Sequence, residues 1–345
     1  MADKIRIGII GAGGIFRSRH FPGLAKIDDA EVVAICNRSI ESGEKVIAEQ
    51  DLSAEAMTDP QALLHRDDID AVMIGTWPYK HCEFVLASLD AGKHTFVQAR
   101  MAMNLREARL MYARSRESNL VTQICPAPPW KGGRFLRRLI DEGYLGDIFH
   151  VYVRDLGGRY WDTEEPLHWR QMSRYSGLNI LGMGITIERV ARVFGYMSTI
   201  TAETEIFTRE RPLPDGSGNG PVETPDMAHI IGKMENGARA AFLFSGVAQF
   251  GGSSIVEAYG SDGTLTYDMG TQIRGAKTGD RRPQQIPIPE DEAAEWTVEA
   301  DFINAIKGGP QGDTSFYEGM RYMEFTEAVH RSAERGGTVR LPLVD

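Results

Sequence analysis

The stretch "KIRIGIIGAGGIFRSRHFPGL", Lys4 to Leu24, decides the fold of the first part of the chain. A short apolar run, Ile5 to Ile10, is followed by glycines and by a helical pattern that ends before Asp28, which predicts a strand, a turn and a helix. The segment "AEVVAICNRS", residues 30–39, then predicts a second buried strand and completes a βαβ unit. This context separates a dinucleotide-binding fingerprint from a chance pair of glycines.

The glycine loop is expected to hold the pyrophosphate of a dinucleotide. Gly11 makes the tight turn, Gly13 lets the backbone approach the phosphates, and the helix that follows supplies N–H groups and a partial positive charge. Gly14 and Ile15 complete the loop. Phe16 occupies a position that is usually small, which predicts either a displaced helix or a ring that points away from the contact. The alternative is that these glycines form only a tight turn.

The end of the second strand bears on the choice of cofactor. An NAD-preferring protein carries a carboxylate there that bonds the adenosine ribose, but this chain has Asn37, followed by Arg38 and Ser39. A 2′-phosphate would meet no repelling charge, and Arg38 can pair with it or stack on adenine. NADP is therefore preferred, with NAD as the alternative. Arg38 as a solvated turn residue is the other interpretation.

Strands and helices continue to alternate up to Cys125, which predicts a doubly wound parallel sheet with helices on both faces. Ligands bind at the carboxyl ends of the strands in such a sheet. The residues expected at this edge, in addition to the glycine loop, are Thr76, Trp77, Pro78, His81 and Gln98. His81 is assigned either to cofactor contact or to the start of a helix.

Composition sets limits on the class of protein. A chain of 345 residues with 42% hydrophobic and 25% charged residues is long enough for two domains. The net charge of -10, without a block of like charges, argues against nucleic acid or a membrane surface as partner. The three scattered cysteines suggest neither disulfides nor a metal site, and no apolar run is long enough to span a membrane. A cytoplasmic protein without a metal is expected.

Three separated motifs resemble the glucose-fructose oxidoreductase, inositol dehydrogenase and rhizopine-catabolism (Gfo/Idh/MocA) family of NAD(P)-dependent enzymes: "GIIGAGGI", "TWPYKHCEFVLASLDAGKH" and "YGSDGTLTYD". The resemblance implies a Rossmann domain, here residues 1–125, and a domain built on an open, mostly antiparallel sheet, here residues 126–345. Strand-like runs joined by turns after Cys125 agree with this independently. A helix at residues 316–333 is expected to pack back on the first domain. The open sheet implies a homo-oligomer, a dimer or a tetramer.

The chain departs from the family at the positions that move protons. Where relatives have Glu-Lys-Pro after the fifth strand, this chain has Gln98, Ala99 and Arg100, and the family's Asp and His on a later helix correspond to Gly182 and Thr186. A positioned acid or base contributes about 10² to 10⁴ in rate, and neither alanine nor glycine moves protons. Ordinary sugar-alcohol oxidation is therefore not expected in its usual form.

The loop at residues 157–177 is unusually rich in aromatic, arginine and histidine residues. Tyr160 and His168 are its two side chains able to act as an acid near neutral pH, and they are the predicted catalytic residues. The same cluster is equally compatible with a small hydrophobic core under the loop. The residues predicted to bind a small-molecule substrate are Arg100, Trp161, Trp169, Arg170, Asn179 and Thr186.

Three functions remain open at this stage. The first is an NAD(P)-dependent oxidoreductase acting on a sugar, cyclitol or related carbonyl compound with reassigned proton transfer. The second is a catalytically silent nucleotide-binding sensor or partner subunit. The third is a glycoside-processing enzyme that uses its bound nucleotide for transient oxidation and elimination.

Overall fold

The computed structural model describes residues 4–126, 132–252, 254–268, 272–293, 296–312 and 314–344. Internal contacts divide the chain into two compact units. Unit 1 comprises Met1–Pro126 with Trp296–Arg321, and unit 2 comprises Ala127–Glu295 with Tyr322–Asp345. The domain boundary expected between residues 125 and 126 stays a prediction. The segment at 296–321, which the sequence placed in the second domain, belongs to unit 1.

Unit 1 is built on a six-stranded parallel sheet in the order β3-β2-β1-β4-β5-β6. Its strands are β1 (Ile5–Ile10), β2 (Ala30–Cys36), β3 (Glu55–Met57), β4 (Ala71–Ile74), β5 (His94–Val97) and β6 (Thr122–Ile124). The strands read as continuous apolar runs because helices cover both faces of the sheet. The four residues of β4 are all buried. This is the doubly wound sheet that the sequence predicted.

The helices of the chain are α1 (Phe21–Leu24), α2 (Ile40–Glu49), α3 (Pro60–Leu64), α4 (His81–Asp90), α5 (Leu105–Arg116), α6 (Gly133–Asp141), α7 (Ser173–Ser176), α8 (Met183–Phe194), α9 (Val298–Ile306) and α10 (Phe316–Arg335). A π-helical turn, Phe16–His20, directly precedes α1. Helix α9 adds Val298, Phe302 and Ile303 to the core that the β1 and β2 side chains form in unit 1. The sequence did not predict α9, and it supplies one of the functional residues described below.

Unit 2 contains a nine-stranded sheet in the order β16-β15-β14-β13-β7-β12-β11-β8-β17 and a separate β9-β10 pair. Its strands are β7 (Ile148–Leu156), β8 (Met197–Glu205), β9 (Glu210–Pro212), β10 (Asn219–Pro221), β11 (Met227–Met234), β12 (Arg239–Ser245), β13 (Ile255–Gly260), β14 (Gly263–Asp268), β15 (Gln272–Lys277), β16 (Gln284–Ile286) and β17 (Val339–Arg340). Within the large sheet only β7 and β12 pair in parallel; every other recorded pairing is antiparallel. The predicted mostly antiparallel sheet is therefore confirmed.

Alternation along β7 orients the residues that matter later. Val151 and Val153 are buried, while His150 and Tyr152 are exposed on the opposite face. Asp155 lies on the same face as Val151 and Val153 and is half-buried. No described helix combines the length and apolar character that crossing a membrane requires.

Candidate active site

The glycine loop of unit 1 has the geometry that a phosphate cradle needs. Gly11 has φ +86°, and a Cβ atom there would lie 2.9 Å from both the backbone nitrogen and Cγ2 of Thr76. A Cβ on Gly13 or Gly14 would meet no protein atom within 4 Å, and both residues are exposed. Gly11 is thus required by the protein's own packing, whereas Gly13 and Gly14 keep the backbone open toward a ligand.

The absence of a side chain on Gly75 leaves room for the large ring of Phe16. The Phe16 ring is fully buried, so the ring does not point away from the contact. A Cβ on Gly75 would lie 2.3 Å from the Phe16 ring. The small residue expected on the helix is therefore found on the facing strand end. The helix begins at Gly14 and continues through the π-helical turn at Phe16–His20.

Asn37 braces the glycine loop from the neighbouring strand. The backbone N–H of Ala12 donates to Oδ1 of Asn37 at 2.9 Å, and Nδ2 of Asn37 donates to the Ser42 carbonyl at 3.3 Å. Ser39 caps α2 by accepting from the Ser42 N–H at 3.3 Å. Arg38 is exposed beside them. The site therefore presents a cation and no carboxylate at the position that follows β2.

His81 joins two strand-end turns. Its ring is fully buried, with Nε2 2.8 Å from the Thr76 carbonyl and Nδ1 3.0 Å from the Arg100 carbonyl. Burial lowers the pKa of His81, although the same carbonyl contacts act in the other direction. His81 is also the first residue of α4, preceded by Trp77 and the buried Pro78. The ring positions the Thr76 and Arg100 turns; direct contact with a cofactor stays a prediction.

Gln98, predicted to face the cofactor, belongs to a buried network. Its side-chain amide contacts Nε2 of His20, whose Nδ1 contacts Oε1 of Glu299. The Trp296 indole donates to both Glu299 oxygens at 2.9 and 3.0 Å. Arg100, which follows two residues later, is 4% exposed.

Neither His20 nor Glu299 is among the site residues that the sequence predicted. A signal existed in "WTVEADFI", where Glu299 lies three residues before Phe302 and shares its helix face. A carboxylate on an otherwise apolar face needs a buried partner. Long-range pairing with a residue 279 positions earlier is what the pattern could not supply.

In unit 2, the side chain of Asp155 adjoins positions 182 and 186, at which the sequence departs from the family that it resembles. Its Oδ2 accepts from the Thr186 hydroxyl at 2.6 Å and its Oδ1 accepts from the Ser254 hydroxyl at 2.6 Å. A Cβ on Gly182 would lie 3.6 Å from Asp155 Oδ2 and would meet no other atom within 4 Å. A carboxylate therefore does adjoin positions 182 and 186, but strand β7 supplies it. The sequence signal was Asp155 in the inward row behind Val151 and Val153.

Tyr160, predicted as an acid, is 7% exposed. Its backbone N–H donates to the Gly246 carbonyl at 2.7 Å, and its own carbonyl accepts from the buried Arg211. The guanidinium groups of Arg159 and Arg211 lie 5.8 and 5.7 Å from its ring centroid. The loop is thus anchored at Tyr160, and the acid role stays a prediction.

His168, the other predicted acid, caps a short 3₁₀ helix, Trp169–Gln171. Its ring Nδ1 accepts from the backbone N–H of Arg170 at 3.2 Å. Its backbone N–H donates to the side-chain oxygen of Gln171 at 3.1 Å. Its Nε2 lies 3.3 Å from Nη2 of Arg159. This gives His168 a local structural function, and its catalytic role also stays a prediction.

The remaining predicted substrate residues of unit 2 differ in exposure. Trp161 is 52% exposed, whereas Asn179 and Thr186 are each 2% exposed. The Asn179 amide donates to the Ser176 carbonyl at 2.6 Å, and the Arg170 guanidinium lies 4.3 Å from the Trp169 ring centroid. Their contact with a substrate is untested. The residues that the structure describes contain no cluster of three or more His, Cys, Asp or Glu side chains able to hold a metal.

Comparison with known families matches both units. Residues 5–124 match the GFO_IDH_MocA family described as "Oxidoreductase family, NAD-binding Rossmann fold". Residues 134–266 match the family described as "GFO/IDH/MocA C-terminal domain". The two matches follow one another along the chain, as the three sequence motifs predicted.

Individual relatives give the same picture at low identity. A levoglucosan dehydrogenase from Pseudarthrobacter phenanthrenivorans is 25% identical over 358 aligned positions, covering 87% of this chain and 90% of the relative. An inositol 2-dehydrogenase from Pseudomonas fluorescens is 30% identical over 146 residues, covering 42% of this chain and 44% of the relative. A solved levoglucosan dehydrogenase in complex with NADH and L-sorbose has a TM-score of 0.88 at 22% identity, covering 98% of this chain and 99% of that one. This structural likeness shows the shared fold.

Proposed function

The chain belongs to the GFO/IDH/MocA family of oxidoreductases, and we propose that it transfers hydride between a nicotinamide nucleotide and a small polyhydroxylated substrate, a sugar, a cyclitol or a related carbonyl compound. The observation that carries the proposal is the glycine loop. Gly11 is required by the loop's own packing, and Gly13 and Gly14 leave exposed backbone that no neighbouring side chain fills. A loop with only a structural task has no need of that opening. Relatives named levoglucosan and inositol dehydrogenase support the substrate class.

The residues of unit 1 fit a dinucleotide. The exposed backbone of Gly13, Gly14 and Ile15 would face the pyrophosphate, and Asn37 would keep the loop in place through Ala12. The nicotinamide ring, when bound, supplies the hydride donor or acceptor. We further propose NADP as the preferred nucleotide because Arg38 offers a cation to a 2′-phosphate. A relative's structure contains NADH, so NAD remains the alternative that measurement has to separate.

We assign the proton-handling role to Asp155, whereas Tyr160 and His168 remain the residues that the sequence suggested. An ionised carboxylate is a general base that can accept a proton from a substrate hydroxyl. The Thr186 and Ser254 hydroxyls hold Asp155 by one hydrogen bond to each oxygen. Each oxygen keeps a lone pair with which Asp155 can accept a proton from a substrate hydroxyl and return it in the reverse reaction.

We also propose a homo-oligomer that forms through the large sheet of unit 2. On the face opposite the buried Val151 row, Tyr152 stacks on His150 with a centroid distance of 5.5 Å, and Ile231 is 59% exposed. Exposed aromatic and aliphatic side chains on one sheet face favour association. A cytoplasmic location, with neither nucleic acid nor membrane as partner, belongs to the same proposal. Light scattering on the purified chain would give the oligomeric state, and Ile231→Lys should shift it toward monomer.

The test of function has two stages. Binding of NADPH and NADH is measured by fluorescence, and the loaded protein is then incubated with sugars, cyclitols, anhydrosugars and aromatic aldehydes while the reduced-nicotinamide absorbance is followed. Turnover supports the oxidoreductase and excludes the silent sensor. Binding without turnover on any substrate favours the sensor. Cleavage of a glycoside without net change in nucleotide absorbance favours transient oxidation and elimination, and failure to bind any nicotinamide nucleotide contradicts the proposal.

A further inference from the structure

Three polar side chains form a buried chain at the carboxyl end of the parallel sheet in unit 1. His20 is fully buried, Glu299 is 1% exposed and Gln98 is 7% exposed. They come from the π-helical turn after the glycine loop, from α9 and from the turn after β5. Burying such groups costs free energy unless their hydrogen bonds are made, so their mutual contacts explain how the arrangement is tolerated.

The contacts decide where the imidazole of His20 carries its proton. Nδ1 contacts Oε1 of Glu299, and the Trp296 indole donates to both oxygens of the same carboxylate. A carboxylate that already receives donors offers only acceptor oxygens, so Nδ1 is the protonated nitrogen. In the neutral ring Nε2 is then an acceptor, and it faces the amide of Gln98.

This tautomer fixes the orientation of the Gln98 amide. The two ends of an amide differ, since one is a carbonyl acceptor and the other an NH₂ donor. An acceptor at His20 Nε2 selects the NH₂ end, and Nε2 of Gln98 is the atom found in contact. The carbonyl oxygen of Gln98 is consequently held on the side away from His20.

Gln98 occupies a position where that orientation matters. It directly follows β5, at the edge of the sheet that also carries Gly11 after β1 and Thr76 after β4. Ligands of doubly wound sheets bind at this edge. A fixed carbonyl there selects a ligand group that donates a hydrogen bond.

We propose that Glu299 and His20 are positioning residues that hold the Gln98 carbonyl oxygen ready to accept a hydrogen bond from a bound nicotinamide nucleotide, from its carboxamide NH₂ or a ribose hydroxyl. This inference rests on the proposed function. Glu299 sets the His20 tautomer, and His20 sets the amide of Gln98. Neither His20 nor Glu299 needs to touch the nucleotide.

The first measurement needs no altered protein. The ¹⁵N shifts of the His20 ring, assigned through its contact with the Phe96 ring, report the tautomer directly. The proton is expected on Nδ1, and a proton on Nε2 in the neutral ring would overturn the proposal. Glu299→Gln should shift the ring toward the other tautomer. Glu83→Gln, at an exposed position of α4 that pairs with Lys80, is the matched control and should leave the shifts unchanged.

The second measurement is a double-substitution cycle on nucleotide affinity. His20→Gln and Gln98→Ala should each raise the Kd by about tenfold, the factor that one hydrogen bond of about 1.4 kcal/mol represents. Because His20 acts through Gln98, the double variant should bind no more weakly than Gln98→Ala alone. Additive losses would overturn this inference while leaving the proposed function intact. Absence of nucleotide binding by the unaltered protein would overturn both.

Discussion

The two units differ in where their functional residues come from. In unit 1 the glycine loop comes from one continuous segment, Gly11 to Phe16, and its compensating Gly75 follows a neighbouring strand of the same sheet. In unit 2 the Asp155 cluster draws on β7, α8 and Ser254, which are far apart in the sequence. A binding loop therefore stays recognisable as a motif, whereas a cluster such as that around Asp155 becomes visible only after the chain has folded.

The largest effect is expected at Asp155. We predict that Asp155→Asn lowers kcat by about 10² to 10⁴ because the amide keeps the shape of the side chain but is not a base. The Kd for the nucleotide should stay within about twofold, since the change lies in unit 2 and the glycine loop lies in unit 1. Steady-state kinetics on the substrate found in the panel, together with fluorescence titration, would measure both.

Asp215→Asn is the matched control for this prediction, because Asp215 is an exposed carboxylate of unit 2 that accepts hydrogen bonds from Ser217. It should leave kcat unchanged. Thr186→Val removes one hydroxyl from Asp155 and should lower kcat by about tenfold, less than the loss of the carboxylate itself. If Asp155→Asn retained full turnover while Tyr160→Phe or His168→Ala lost it, the acid–base role would be assigned to that residue of the loop at 157–177.

The next effect tests unit 1. Gly11→Ala should weaken nucleotide binding by about 10- to 100-fold and destabilise the protein by about 1 to 3 kcal/mol, because its Cβ would press on the Thr76 backbone at a left-handed φ. Gly13→Ala should weaken binding to a similar extent but leave stability within about 0.5 kcal/mol, since no protein atom occupies that space. Chemical denaturation and nucleotide titration separate the two variants. Equal loss of stability in both would mean that the loop has no opening reserved for a ligand.

Much of the fold followed from local patterns. β1 has the residue bounds that its apolar run predicted, and α10 begins at the predicted Phe316. Short helices such as α3 were not predicted, because five residues are too few to show a periodic pattern. The cofactor loop was recognisable for the same reason as β1, since its residues are consecutive.

The buried polar networks were not predicted, for a physical reason. A hydrogen bond between His20 and Glu299 depends on the docking of α9 against α1, and nothing in either segment alone specifies that pairing. Asp155 likewise becomes interpretable only when Thr186 and Ser254 are found to donate to it. Periodicity places a polar residue on a buried face, but tertiary structure selects its partner.

A smaller effect concerns the choice between nucleotides. Arg38→Asp should raise the Kd for NADPH by about tenfold and leave that for NADH unchanged or lower, because the carboxylate repels a 2′-phosphate and can bond a ribose hydroxyl. The control is Lys45→Asp, which makes the same change of charge on the exposed face of α2. It should alter neither affinity by more than about twofold. Equal weakening of both nucleotides by Arg38→Asp would indicate that Arg38 contacts adenine rather than a phosphate.

The smallest effect is expected from restoring the lysine that the family carries after β5. Ala99→Lys should change sugar dehydrogenase activity by less than about twofold, because Gly182 has no side chain and the Thr186 hydroxyl is already committed to Asp155. Ala99 is half-buried against the core of unit 1 beside the buried Arg100, so the new cation should also reduce stability. Ala99→Met, similar in length but neutral, separates packing from charge. A gain of tenfold or more in Ala99→Lys alone would show that the missing lysine by itself accounts for the loss of sugar dehydrogenase activity.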